Sequence, residues 1–132
     1  MNQLILKFIP AFAWACIVAV LCLLPQSAFY EPGFLRNLPA DKIAHFGMFF
    51  ILSFLVWRGM QIKNFLPLNY RFLFVFLMLI AYGGLTELAQ DWLTKTRHSE
   101  LLDFLTDIVG ALFGLFFYLI VANKINNSGK LS

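Results

Sequence analysis

Hydrophobic residues along this chain fall into four long runs, each closed by a short cluster of polar or turn-forming residues. The runs occupy about 4–24, 42–60, 70–92 and 103–122, and each is close to the ~20 residues that carry a helix across about 30 Å of hydrocarbon at about 1.5 Å per residue. Lys7 and Pro10 are the only interruptions of the first run. The 25–41 connection holds Pro25, Pro32, Gly33 and Pro39, with Phe29, Tyr30, Phe34 and Leu38 giving it an amphipathic character. Arg58, Lys63 and Arg71 bracket the second connection, which contains Pro67. The third, 93–102, is wholly polar in its middle. The pattern predicts an all-α membrane protein: a bundle of four transmembrane helices in a single domain over 1–132, with a flexible polar tail at 124–132.

Composition supports the same class. The chain has 132 residues, 61% of them apolar and 13% charged, against about 45–50% and about 25% in soluble proteins. Such a chain cannot cover its apolar surface with its own polar residues, so a lipid bilayer is the expected partner. Its net charge of +3 and pI near 9.0 fit the basic cytoplasmic flanks of membrane helices. No basic run or interleaved aromatic platform points to nucleic acid. Cys16 and Cys22 lie inside the first run, where thiols act as small apolar fillers, and a disulfide within one helix is excluded by geometry. The first run also exceeds the ~7–15 residues of a signal-peptide core and lacks a clean small-x-small cleavage pair, so an uncleaved helix is expected.

Charge gives a sidedness. With four spans, both termini and the 58–71 connection share one side, which carries Lys7, Arg58, Lys63, Arg71, Lys124 and Lys130. The other side carries Arg36, Lys42, Lys95 and Arg97, together with all 7 acidic residues. Counting basic residues predicts cytoplasmic termini and extracytoplasmic loops at 25–41 and 93–102. Every carboxylate then lies at the extracytoplasmic end.

Helical spacing sorts the polar residues onto faces. Asp41 and His45 are four apart on the second helix; Gly83, Glu87 and Gln90 share a face of the third; Asp103, Asp107, Gly110 and Gly114 share a face of the fourth. Small residues mark close helix contacts in membranes, so these faces should look into the bundle. Desolvation agrees, because a charge at the bilayer centre costs at least about 2.5–3.5 kcal/mol. Glu87 and Asp107 should therefore keep partners such as His45, Arg97 or Lys42. Each feature also has a purely structural account. His45 can be a packed polar residue, Glu87 and Gln90 can cross-link helices, and Asp41 and Asp103 can be N-caps.

The series Asp41-Lys42-x-x-His45, Glu87-x-x-Gln90, Arg97 and Asp103-x-x-x-Asp107-x-x-Gly110-x-x-x-Gly114 resembles the VanZ-like family of small bacterial membrane proteins, over about residues 38–118. Asp107 departs from that pattern, where the family usually has asparagine. The resemblance implies a place in the bacterial cytoplasmic (inner) membrane and a role at the cell envelope linked to teicoplanin-type glycopeptide resistance. It implies no known reaction.

Three functions remain open from the residues. The first is a binding or processing site for a lipid-linked or headgroup substrate, with Asp41, Lys42, Gln90, Arg97 and Asp107 as binding residues. The second is a membrane hydrolase or transferase acting on a lipid-linked phosphate, with His45, Glu87 and Asp103 as catalytic residues. There His45 is a general acid/base oriented by Asp41, Arg97 or Lys42 holds the anion, and His45, Glu87, Asp103 and Asp107 are the ligands of any divalent cation. The third is a non-catalytic structural or accessory subunit.

Overall fold

The computed structural model describes residues 3–24, 39–60, 67–94 and 100–128, which form four helices: α1 (Gln3–Leu23), α2 (Ala40–Gly59), α3 (Leu68–Leu93) and α4 (Leu101–Ser128). All four are long and apolar enough to span a membrane, and no strand occurs among the described residues. Helices are what such runs must form in lipid, where only an internal hydrogen-bond ladder satisfies the backbone. Pro10 sits inside α1 without ending it.

Prolines start two of the helices. Pro39 takes the N-cap position of α2 and its carbonyl accepts the Ile43 N–H at 3.0 Å; Pro67 does the same for α3, accepting from Arg71 N at 3.0 Å. Asp41 therefore falls in the first turn of α2, not at its cap as its position after Pro39 suggested. Asp103 is likewise in the first turn of α4, with its N–H already donated to the Glu100 carbonyl at 3.0 Å. Both carboxylates still meet the positive end of a helix dipole. At the other end of α4 the helix continues past the expected exit at 122 to Ser128, taking in the first part of the tail expected to be flexible. Hydropathy marks where lipid stops, and the backbone ladder needs no lipid to continue.

The helices run alternately up and down. α2 and α4 make the most extensive contact, and α1 and α4 are the one pair without an extensive one among the described residues, so they occupy opposite corners. Glycines set the α2–α4 spacing. A Cβ at Gly110 would strike the Phe46 carbonyl, and one at Gly114 would strike the Phe50 carbonyl and Ser53 Oγ. Ring pairs flank this seam: Phe46 with Phe113, Phe50 with Phe117 and Phe54 with Tyr118, at centroid distances of 5.8, 5.6 and 5.2 Å. The core behind them contains Val18, Phe49, Trp57, Val75, Leu79 and Leu115. Phe12, Leu77, Trp92, Phe113 and Ile120 are exposed on the outside, which is the surface a bilayer covers.

Candidate functional site

Up-and-down topology brings the start of α2, the end of α3 and the start of α4 to one end of the bundle. Asp41, Glu87, Asp91, Glu100, Asp103 and Asp107 all belong to those segments. The opposite end holds Lys7, Arg58 and Arg71, whose guanidinium donates to the Met60 carbonyl at 3.3 Å. The acid end has an outer and an inner layer.

Lys42 organises the outer layer. Its Nζ donates to Glu100 Oε2 at 3.0 Å and to Asp103 Oδ1 at 3.1 Å. Asp103 is buried and Glu100 exposed, so the ammonium bridges the protein interior to its surface. The sequence suggested that Lys42 holds a substrate anion; instead it engages two carboxylates of its own chain. Glu100 is not among the residues that the sequence pattern singles out. Its place three residues before Asp103, on the same side of the helix start, is the signal that could have found it.

The inner layer is built on His45, about 8 Å below the start of α2 at about 1.5 Å per residue. Its Nδ1 lies 2.9 Å from Asp107 Oδ1. The carboxylate that orients the ring is thus Asp107 of α4, not Asp41 one turn away on α2. The reason is geometric: the Gly110–Phe46 contact brings α4 against α2 within a turn of both residues. Glu87 completes the layer from α3, with Oε2 accepting the Glu100 N–H at 3.0 Å. Gly83 makes room for Asp107 and Phe49, since a Cβ there would lie 3.3 Å from both Asp107 Oδ2 and Phe49 Cε1. Phe49, packed on Tyr82, is the apolar neighbour on this side.

Three polar atoms in this layer have no hydrogen-bond partner although they are shielded from solvent: His45 Nε2, Glu87 Oε1 and Asp107 Oδ2. Leaving such an atom unsatisfied costs about 1–3 kcal/mol. His45, Glu87 and Asp107 also bring one potential donor atom each to within 4.8 Å of the others; Asp41, His45 and Asp103 do so as a second set. His45 belongs to both sets and links the two layers.

Gln90 has a different role. Its Nε2 donates to the Cys22 carbonyl at 3.0 Å, tying the end of α1 to α3. A backbone carbonyl as partner leaves no trace in sequence. Tyr82 does likewise one level down, donating to the Ala15 carbonyl, and Trp14 donates to the Met48 carbonyl at 3.0 Å. Asp91 is exposed, so of the Glu87–Asp91 stretch only Glu87 and Gln90 face inward. Arg97 and the 25–38 segment lie outside the described residues.

Fold and site together define a four-helix membrane protein with a buried histidine–carboxylate cluster at its acidic end. No family model matches the chain, and no curated protein or solved structure matches it.

Proposed function

We propose that this chain is a VanZ-like protein of the bacterial cytoplasmic membrane, with cytoplasmic termini, whose acidic end receives the polar head of an envelope lipid or lipid-linked precursor for binding or processing. The observation that carries this reading is the trio of buried, unpartnered atoms on His45, Glu87 and Asp107. A bundle maintained for stability alone gains nothing from them, whereas a site that must accept a polar ligand needs free valences. With Nδ1 engaged by Asp107, Nε2 is left as a free valence for a ligand. Lys42 is held by Glu100 and Asp103, so the layer is an acceptor surface. The placement at the extracytoplasmic face follows from the basic-residue count, and the envelope role from the spaced motifs of the sequence.

The test is native mass spectrometry of the detergent-purified chain with cell-envelope lipid extract. The wild-type chain should retain a lipid-linked species that His45→Asn and Glu87→Gln release. Retention of bulk phospholipid alone, or equal retention by all three proteins, sinks the reading.

A further inference from the structure

We infer that His45, Glu87 and Asp107 form a binding site for a first-row divalent metal cation such as Zn2+ or Mn2+. This rests on the reading of the inner layer as a ligand site and says which ligand it holds first.

The donor set is the first argument. One imidazole and two carboxylates arrive from three different helices, with donor atoms all within 4.8 Å of one another. Ligands about 2.1 Å from a tetrahedral ion stand roughly 3.4 Å apart, so the three side chains draw in by at most about 1.4 Å around it. The side chains are almost wholly buried, at 1% exposure for His45 and Asp107 and 6% for Glu87, which holds them in place. Glu87 Oε1 and Asp107 Oδ2 are the free oxygen donors.

Charge is the second argument. Two carboxylates drawn together in a low-dielectric bundle repel each other, and a shared cation relieves that repulsion. Among the described residues the one lysine or arginine paired with a carboxylate of this end is Lys42, and it serves Glu100 and Asp103 in the outer layer. A divalent ion supplies the balance to Glu87 and Asp107.

The second carboxylate set gives the third argument. An ion bound at Nδ1 displaces the proton shared with Asp107, and Nε2 is the place for it. Asp41 and Asp103 each bring a carboxylate oxygen to within 4.8 Å of a His45 ring nitrogen. Neither is hydrogen-bonded to Nε2, so they stabilise a proton on the ring by charge alone. The imidazole nitrogen argues for Zn2+ and the two carboxylates also admit Mn2+, whereas Mg2+ and Ca2+ prefer sets of oxygen ligands alone.

The test uses the full chain purified in detergent, stripped with a chelator and dialysed against Zn2+, Mn2+, Mg2+ or Ca2+. Wild type should retain about one Zn2+ or Mn2+ per chain and bind Mg2+ and Ca2+ more weakly. Glu87→Gln and His45→Gln should weaken binding by more than the about tenfold that the loss of an outer-shell partner typically costs. A rise in unfolding temperature on adding the ion, present in wild type and absent in both variants, is an internal control for variants that are less stable. If neither variant folds, Mn2+ bound to wild type should show coupling to a nitrogen nucleus by pulsed paramagnetic resonance. Metal far below one equivalent, undiminished binding in both variants, Mg2+ or Ca2+ held as tightly, or no nitrogen coupling each overturn the site. Lipid retained equally by stripped and wild-type protein that takes up no metal refutes the ion while leaving the proposed function standing. Stoichiometric metal without any lipid does the reverse.

Discussion

His45 and Asp107, 62 positions apart in the chain, meet at 2.9 Å between Nδ1 and Oδ1 with neither side chain more than 2% exposed. That bond is the polar weld between α2 and α4. Asp107→Ala should leave the imidazole without its partner and cost about 1–3 kcal/mol. Asp107→Asn keeps an accepting oxygen at the same place and should cost less. A double-mutant cycle with His45→Ala should return a coupling near the ~0.6 kcal/mol average of membrane hydrogen bonds, or up to about 1.7 kcal/mol. Reversible unfolding in mixed micelles reads all of these; equal losses for the Asn and Ala variants would remove the bond from the account.

The bond depends on how close the helices come, which the glycines decide. Gly110→Ala places a methyl against the Phe46 carbonyl, backbone that cannot turn aside, so α2 and α4 must separate. Overpacking of this kind costs about 1–3 kcal/mol. Gly47 has nothing within 4 Å of an added Cβ, so Gly47→Ala should be neutral or gain up to about 1 kcal/mol of helix propensity. Loss of stability in both alanine variants alike would show that the seam is not what Gly110 serves.

The two ion pairs of Lys42 should differ sharply in worth. Glu100→Gln removes a partner whose side chain is 58% exposed and should change stability by about 0–1 kcal/mol. Lys42→Met leaves Asp103, 5% exposed, without its cation and should approach the lower end of the about 3–5 kcal/mol seen when one member of a buried pair is removed. A larger loss for Glu100→Gln than for Lys42→Met inverts the expected order and would refute the two-layer description.

Gln90 anchors α1, so its loss should be felt there. With Gln90→Ala, the Cys22 carbonyl loses the Gln90 donor and the end of α1 is held less tightly to α3. Cys22 is buried and Cys16 exposed, so in a Cys16→Ala background a membrane-permeant maleimide should label Cys22 faster in the variant than in the parent. Unchanged labelling would mean that packing alone holds α1.

The four spans were legible because a bilayer demands long apolar runs, and the inward faces because helical spacing puts His45, Glu87, Asp107 and the glycines in register. Spacing does not say which inward residue meets which. Asp41 lies four residues from His45 and looked like its partner, yet the α2–α4 contact at Gly110 presents Asp107 first. Lys42 looked free for a substrate because its partners, Glu100 and Asp103, lie around the start of α4, 58 and 61 positions further along the chain. Gln90 looked like part of the site because a carbonyl partner has no sequence. Single elements could be read along the chain; pairings between them come from packing.

Sidedness is the expectation with the narrowest support, since it rests on six basic residues against four. Acidic residues add little to that rule, so the six described carboxylates at one end do not strengthen it. A single-cysteine Ser99→Cys chain, built on Cys16→Ala and Cys22→Ala, should react with an impermeant maleimide in intact cells. Reaction only after permeabilisation would turn the molecule over. The histidine–carboxylate cluster would then open towards the cytoplasm, its ligand would come from the inner leaflet, and an extracytoplasmic envelope substrate would no longer be tenable. The helix packing, the Lys42 bridge and the cation site would be unaffected, because none of them depends on which side faces out.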